Sequence, residues 1–143
     1  MPTEQIRILL ADDHDVVRRG LRLLLENHPG FSVVGEASNG KQAVEQAEAV
    51  TPDVAVLDVA MPDLSGIEAA QRILALLPQT AVLMLSMHSD EGYVRRALAA
   101  GAKGYLLKDS AGSDLIGAII AVSQGKTFFS PQISKRVVED MAR

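Results

Sequence analysis

The sequence predicts an α/β domain built on a doubly wound, five-stranded parallel sheet, and three observations predict it. Five short apolar runs alternate with five stretches whose apolar residues recur at helical spacing, the pattern of strands joined by crossover helices. No repeat or low-complexity segment interrupts the alternation. Three of the runs lead into charge: Asp12 and Asp13 come after Ile6-Arg7-Ile8-Leu9-Leu10, Asp58 after Val54-Ala55-Val56-Leu57, and Lys108 after Tyr105-Leu106-Leu107. Parallel strands deliver their carboxyl ends to one edge of the sheet, so these groups converge there.

Each element follows in order. After the first strand, Val17, Leu21 and Leu24 mark the inner face of a helix with Arg18, Arg19, Arg22 and Glu26 outside, stopped at Asn27-His28-Pro29-Gly30. Residues 31–37 form the second strand, and Asn39 caps a helix with Ala43, Val44, Ala47 and Val50 inward, ended at Thr51-Pro52. The third strand leads to Asp58. Met61-Pro62-Asp63 is a loop, Ser65 caps the next helix, and Ile67, Ala70, Leu74 and Leu77 repeat until Pro78. Residues 81–85 form the fourth strand, which ends at Ser86. Asp90 begins a helix with Val94, Ala97 and Leu98 inward, Gly101 closes it, and residues 104–107 are the fifth strand. Ser113 is the expected cap of the last full helix, through about Gln124. Met84 and Met87 read as gap-filling apolar residues.

Residues 1–125 therefore read as one domain, and 126–143 as a linker or tail helix leading to an output module beyond this chain. In the tail, Thr127-Phe128-Phe129 is a short apolar segment outside the alternation, and Ser130-Pro131 starts a helix running through Val137 and Val138 toward Arg143.

Composition excludes several functions. At 143 residues and 48% hydrophobic content, the chain buries one ordinary core. A net charge of −4 with no basic stripe argues against direct nucleic-acid binding. No cysteine is present, so disulfides and thiolate metal sites are excluded. No apolar stretch approaches the ~20 residues of a membrane span and no signal pattern opens the chain, which reads as soluble, cytoplasmic and without membrane contact.

Carboxylates gathered as closely as Asp12, Asp13 and Asp58 repel one another unless a hard cation, an incoming phosphoryl group, or both lie between them. A carboxylate attacks a charged phosphoryl group only when repulsion is neutralised, which Mg²⁺ and an ammonium do together. Mg²⁺ keeps several waters and takes few carboxylates, so a small acidic cluster suits it. Taken singly, each residue has a plainer use: Asp12, Asp13, Asp58 and Ser86 as caps or turn residues, Lys108 as a surface charge, Tyr105 as packing. His14 and His88 lie near the site but are assigned no catalytic role.

Residue by residue, the chain to Gln124 resembles the receiver domain of bacterial two-component response regulators, in the NarL/FixJ-like subgroup that carries a LuxR-type helix-turn-helix. The stretches that carry the resemblance are Ile8-Leu9-Leu10-Ala11-Asp12-Asp13-His14, Leu57-Asp58-Val59-Ala60-Met61-Pro62-Asp63-Leu64-Ser65-Gly66 and Gly101-Ala102-Lys103-Gly104-Tyr105-Leu106-Leu107-Lys108-Asp109. The resemblance implies a flavodoxin-like (βα)5 fold and a signalling switch rather than an enzyme, one that assists its own phosphotransfer and dephosphorylation. It makes Asp58 the phosphoacceptor and Asp12 and Asp13 the acid pair that holds Mg²⁺, with Asp58 and the carbonyl of Val59 as further metal ligands. Ser86 and Lys108 would contact the phosphoryl group, and Tyr105 corresponds to a switch aromatic. The implied partners are a sensor histidine kinase, a second copy of the chain on phosphorylation, and DNA only through the missing carboxyl-terminal module.

The dimer has its own sequence signal. Leu115, Ile119 and Val122 share the inward face of the last helix, which leaves Ile116 and Ile120 on a flanking face, and Val16 and Leu23 lie similarly at the edge of the first helix's stripe. The alternative is that Phe128, Phe129 or Val137 folds back over the isoleucines. Two other reaction classes also have partial motifs. Gly35-Glu36-Ala37-Ser38-Asn39-Gly40-Lys41 approaches a phosphate-binding loop, but Gln42 stands where a Mg²⁺-ligating hydroxyl is needed. Asp13-His14-Asp15-Val16-Val17 resembles the nucleophile motif of haloacid-dehalogenase-type phosphatases, which would leave Asp58 and Lys108 unexplained.

Overall fold

The structure, a computed structural model, describes residues 5–87, 91–131 and 133. Strands β1 (Ile6–Ala11), β2 (Phe31–Ala37), β3 (Val54–Asp58), β4 (Ala81–Ser86) and β5 (Gly104–Leu107) alternate with helices α1 (Asp15–Glu26), α2 (Gly40–Val50), α3 (Gly66–Leu76), α4 (Glu91–Ala99) and α5 (Ala111–Ser123). The strands lie in the order β2-β1-β3-β4-β5, all parallel, as the alternation requires. A sixth strand extends the expected five: β6 (Phe128–Phe129) pairs with β5 in parallel. Two residues are too few to show the period-2 alternation of a strand, and here pairing to the otherwise bare edge of β5 decides the conformation.

Successive strand residues face opposite ways, so the sheet carries two cores. Leu9, Ala55, Leu57, Val82, Met84 and Tyr105 meet Ala43, Ala47, Ala70, Ile73, Val94 and Ala97 of α2, α3 and α4. Ile8, Leu10, Val54, Val56, Leu83 and Leu106 meet Leu21, Leu25, Leu115, Ile119 and Val122 of α1 and α5. Small alanines on α2 and α3 let those helices sit close to the sheet and to each other. Asn39 and Ser65 cap as expected, accepting from Gln42 N (2.8 Å) and Glu68 N (3.2 Å). Gly101 ends α4 at a φ of 103°, which a side chain would resist.

Three details differ from the sequence reading. Val17 is exposed, and Leu21 and Leu25 form the buried stripe, because the first turn of α1 stands at the rim beyond the end of β1. Ser113 is not the cap of α5. A 3-10 turn over Lys108–Ser110 brings the chain into helix early, Ser110 takes the cap position, and the Ser113 hydroxyl donates back to Ser110 O at 3.0 Å. Met87 lies past the end of β4 and is exposed, whereas Met84 is fully buried. In the tail, Ile133 is buried in the same core as Tyr105, and Phe128 joins the apolar cluster that contains Ile116 and Ile120. Both isoleucines are thereby half-covered. The expected start of α4 at Asp90, the position of His88 and the tail helix through Val137, Val138 and Arg143 lie outside the described residues.

Candidate functional site

The reversal of strand order falls between β1 and β3, and a doubly wound sheet opens its binding crevice at that point. Register brings the acids together there: Ala11 pairs with Leu57, so Asp12 leaves β1 beside Asp58 at the end of β3. Asp58 in turn pairs with Leu85, one residue before Ser86, and Ser86 pairs with Leu107, one residue before Lys108. Asp12, Asp58 and Ser86 are buried, with Asp12 fully so, while Asp13 is partly exposed.

Lys108 is the counter-charge for the buried pair. Its Nζ donates to Asp58 Oδ2 at 2.9 Å and lies 3.0 Å from Asp12 Oδ2. Asp58 Oδ1 accepts from Ala60 N at 3.2 Å, an Asx turn that holds the carboxylate against its own loop. Burial pushes the Asp58 carboxyl up, the Lys108 hydrogen bond pulls it down, and the neighbouring charge of Asp12 pushes it up again, to about 6. For Lys108, burial opposes the charge, but the hydrogen bond to Asp58 and then the ion pair with Asp12 outweigh it and the ammonium's pKa is raised. One ammonium among three carboxylates leaves the cluster short of positive charge.

The donor set fits a divalent cation. Asp12 Oδ2 has only the ion pair with Lys108 and accepts no directed hydrogen bond, and Asp13 Oδ1 is buried with none. Buried carboxylate oxygens without donors are costly, and a hard cation meets that need. The Val59 carbonyl accepts from Gly66 N at 2.9 Å, which leaves it one further lone pair. Gly66 is required for this closure: a Cβ there would stand 1.9 Å from Asp58 O.

Tyr105 is wholly buried on β5. Of the residues proposed for a dimer, Val16 is 84% and Leu23 65% exposed on α1, whereas Ile116 and Ile120 are half-covered. Among the described residues, no helix is long and apolar enough to cross a membrane. A cleft of about 790 Å³ lined by Ile6, Pro52, Leu77 and Val122 opens at the opposite rim, at the amino ends of the strands, away from the acidic cluster.

Four side chains around the site were given no role in the sequence reading. His14 Nδ1 stands 3.2 Å from Asp12 Oδ1, 3.3 Å from Asp13 Oδ1 and 3.2 Å from Lys108 Nζ. Arg18 donates through Nη1 to Asp12 O at 2.6 Å and pairs through Nε with Glu36 Oε1 at 3.2 Å, which pins the loop that carries the acid pair. Glu36 is held in place by a second arginine, Arg22. Adjacency to Asp12-Asp13 was the available signal for His14, whereas the contact of Arg18 with Glu36 across 18 residues had none.

The two rival motifs lose their structural context. Gly40 N donates to Pro62 O and the Asn39 side chain takes Gln42 N, so the amino end of α2 is already occupied; a Cβ on Gly40 would meet Leu64 O at 1.9 Å. Gly40 therefore serves close packing. Asp15 is 70% exposed and paired with Arg18 at 2.9 Å, turned to solvent instead of toward Asp13.

Comparison with known proteins identifies the family. The family model described as the response regulator receiver domain matches residues 8–120. The transcriptional regulatory protein DegU of Brevibacillus brevis is 37% identical over 97% of the chain, which covers 59% of DegU. The chain thus spans about six-tenths of that curated relative's length. A crystal structure of a LuxR-family two-component response regulator from Aurantimonas sp. SI85-9A1 superposes with a TM-score of 0.90 at 36% identity, covering 98% of this chain and 100% of that one. The signal receiver domain of the putative response regulator NarL from Mycobacterium tuberculosis gives 0.83 at 36% identity, covering 87% and 100%. The chain belongs to the response regulator receiver domain family, a family of signalling switches.

Proposed function

We propose that this receiver accepts a phosphoryl group on Asp58 from a cytoplasmic sensor histidine kinase. The observation that carries the proposal is the placement of Asp58: it accepts a hydrogen bond from Lys108, lies beside Asp12, and ends the strand that pairs with the strand of Ser86. A carboxylate oxygen of Asp58 attacks phosphorus, the O–P bond forms as the N–P bond to the kinase imidazole breaks, and the electron pair leaves with that nitrogen. Lys108 exchanges its bond to the Asp58 carboxylate for the phosphoryl oxygens, and Ser86 supplies a hydroxyl to the same group. Asp12, Asp13, Asp58 and the Val59 carbonyl would hold Mg²⁺, which supplies charge neutralisation at the phosphoryl oxygens. The same groups, with water as nucleophile, would assist loss of the phosphoryl group.

The readout follows from the change of charge around Lys108. Tyr105 and the tail segment that pairs with β5 at Phe128–Phe129 would report it to an output module beyond this chain, by kinship a DNA-binding transcriptional regulator. A symmetric dimer through α1 and α5, using Val16, Leu23, Ile116 and Ile120, would bring two such modules to paired half-sites.

The test is direct. Acetyl phosphate or phosphoramidate with Mg²⁺ adds one phosphoryl group by intact mass, and Asp58→Asn abolishes it. Undiminished labelling of Asp58→Asn together with loss in Asp13→Asn would instead favour the phosphatase chemistry.

A further inference from the structure

We propose that His14 is a fourth protein ligand of the acidic site, one that gives it a preference for borderline cations such as Mn²⁺, Co²⁺ and Zn²⁺ over Mg²⁺. The inference rests on the metal reading above and adds a nitrogen donor to it.

His14 immediately follows the acid pair and takes the cap position of α1, so its ring stands over the carboxylates at the mouth of the site. Its Nδ1 lies 3.2 Å from Asp12 Oδ1, 3.3 Å from Asp13 Oδ1 and 4.0 Å from Asp58 Oδ2. Bonds of about 2.1 Å to one ion place neighbouring ligand atoms about 3.0 Å apart in an octahedron and about 3.4 Å apart in a tetrahedron, and opposite ones about 4.2 Å apart. The observed separations are those of ligands already gathered around one point, and all four donor atoms lie within 4.8 Å of one another.

Lys108 Nζ lies 3.2 Å from the same nitrogen, which thus stands between a cation that can only donate and carboxylates that can only accept; in the tautomer protonated at Nε2, the Nδ1 lone pair faces into the site. Three atoms, Asp58 Oδ2, Asp12 Oδ2 and His14 Nδ1, surround one ammonium at 2.9, 3.0 and 3.2 Å, with Asp12 Oδ2 and Asp13 Oδ1 still lacking a directed hydrogen bond. A divalent ion replaces the ammonium at Nδ1 and satisfies both oxygens. Imidazole nitrogen adds little for Mg²⁺, which demands hard oxygen ligands, and adds most along the series from Mn²⁺ to Cu²⁺ and for Zn²⁺. His14 therefore changes the ranking of metals more than it changes Mg²⁺ affinity.

Calorimetric titration of the whole chain with Mg²⁺ and Co²⁺, for the parent and His14→Ala, tests this. The expected result is Co²⁺ binding tighter than Mg²⁺ in the parent, at least ~10-fold weaker Co²⁺ binding in His14→Ala, and Mg²⁺ binding changed by less than about twofold. His14 is 60% exposed at its side chain, so the variant keeps its fold. In the parent, a hyperfine-shifted imidazole resonance in the Co²⁺ proton NMR spectrum, lost in His14→Ala, reports the bond itself. Mg²⁺ binding with a Co²⁺/Mg²⁺ ratio unchanged by the substitution would overturn the role of His14 and leave the metal reading intact. Failure of both ions to bind the parent would overturn both.

Discussion

Replacing Asp58 with Asn should make the metal-free domain more stable, although it removes the proposed phosphoacceptor. The carboxyl is 2% exposed and its pKa stands at about 6, raised from 3.8 chiefly by burial. A difference of roughly 2 units at about 1.4 kcal/mol each means that holding this charge in the folded state at pH 8 costs about 3 kcal/mol. Asn keeps the side-chain oxygen that accepts from Ala60 N, and Lys108 retains Asp12; the attraction of Lys108 for the Asp58 charge is already contained in that shift. The gain is about 3 kcal/mol, or roughly 9 °C in Tm for a chain of this length. The sign with pH follows from linkage. Between about 6 and 3.8 the folded state binds the Asp58 proton more tightly than the unfolded state, so the parent gains stability as pH falls through that window, and Asn does not. The gap between the two proteins is therefore fully open at pH 8 and closed near pH 4. Urea unfolding in EDTA at both values measures it. Equal stability at pH 8, or a gap that widens on acidification, would refute the argument that Asp58 is strained by burial.

The remaining predictions concern the cation and the exposed helix. Mg²⁺ at ten times its dissociation constant should raise the unfolding free energy by about 1.4 kcal/mol, read as a Tm shift, and Asp13→Ala should largely erase the gain; indifference of Tm to millimolar Mg²⁺ would mean that the carboxylates form no site. Burying Val16 and Leu23 in a dimer should contribute about 1.5–3 kcal/mol per side chain, so Val16→Asp/Leu23→Asp should weaken the beryllofluoride-stimulated dimer by more than ~10-fold in analytical ultracentrifugation. An unchanged dimerisation constant would exclude α1 from the interface.

What the sequence disclosed and what it hid have physical causes. A buried parallel strand must be apolar along its length, so a charge at its end stands out, and Asp12, Asp58 and Lys108 were legible for that reason. Asn39 and Ser65 were legible because capping is local chemistry within three residues. Val17 was misplaced because helical period gives the face of a residue and not whether a strand lies beneath it. Ser113 lost the cap to Ser110 because a 3-10 turn after Lys108 changes where the helix begins, and no local residue preference announces such a turn. Arg18 and Glu36 meet only because β2 pairs with β1, a register set by the whole sheet.

The tail shows what this difference means for the switch. Ser130 is fully buried; its hydroxyl accepts from Leu107 N at 3.0 Å and lies 3.3 Å from Ser110 Oγ, while its N–H donates to Tyr105 O at 3.1 Å. The residues on either side of Lys108 are thus tied to the segment that follows β6. Each neutral bond contributes only about 1 kcal/mol, whereas a charge-assisted contact to a phosphoryl oxygen is about twice as strong. Under the proposed function, a pull on the Lys108 ammonium exceeds the strength of any single tie between its flanking residues and the tail. The tail then has to follow Leu107 and Ser110 or give up these bonds, and in either case the charge state of Asp58 is felt where the chain leaves the sheet.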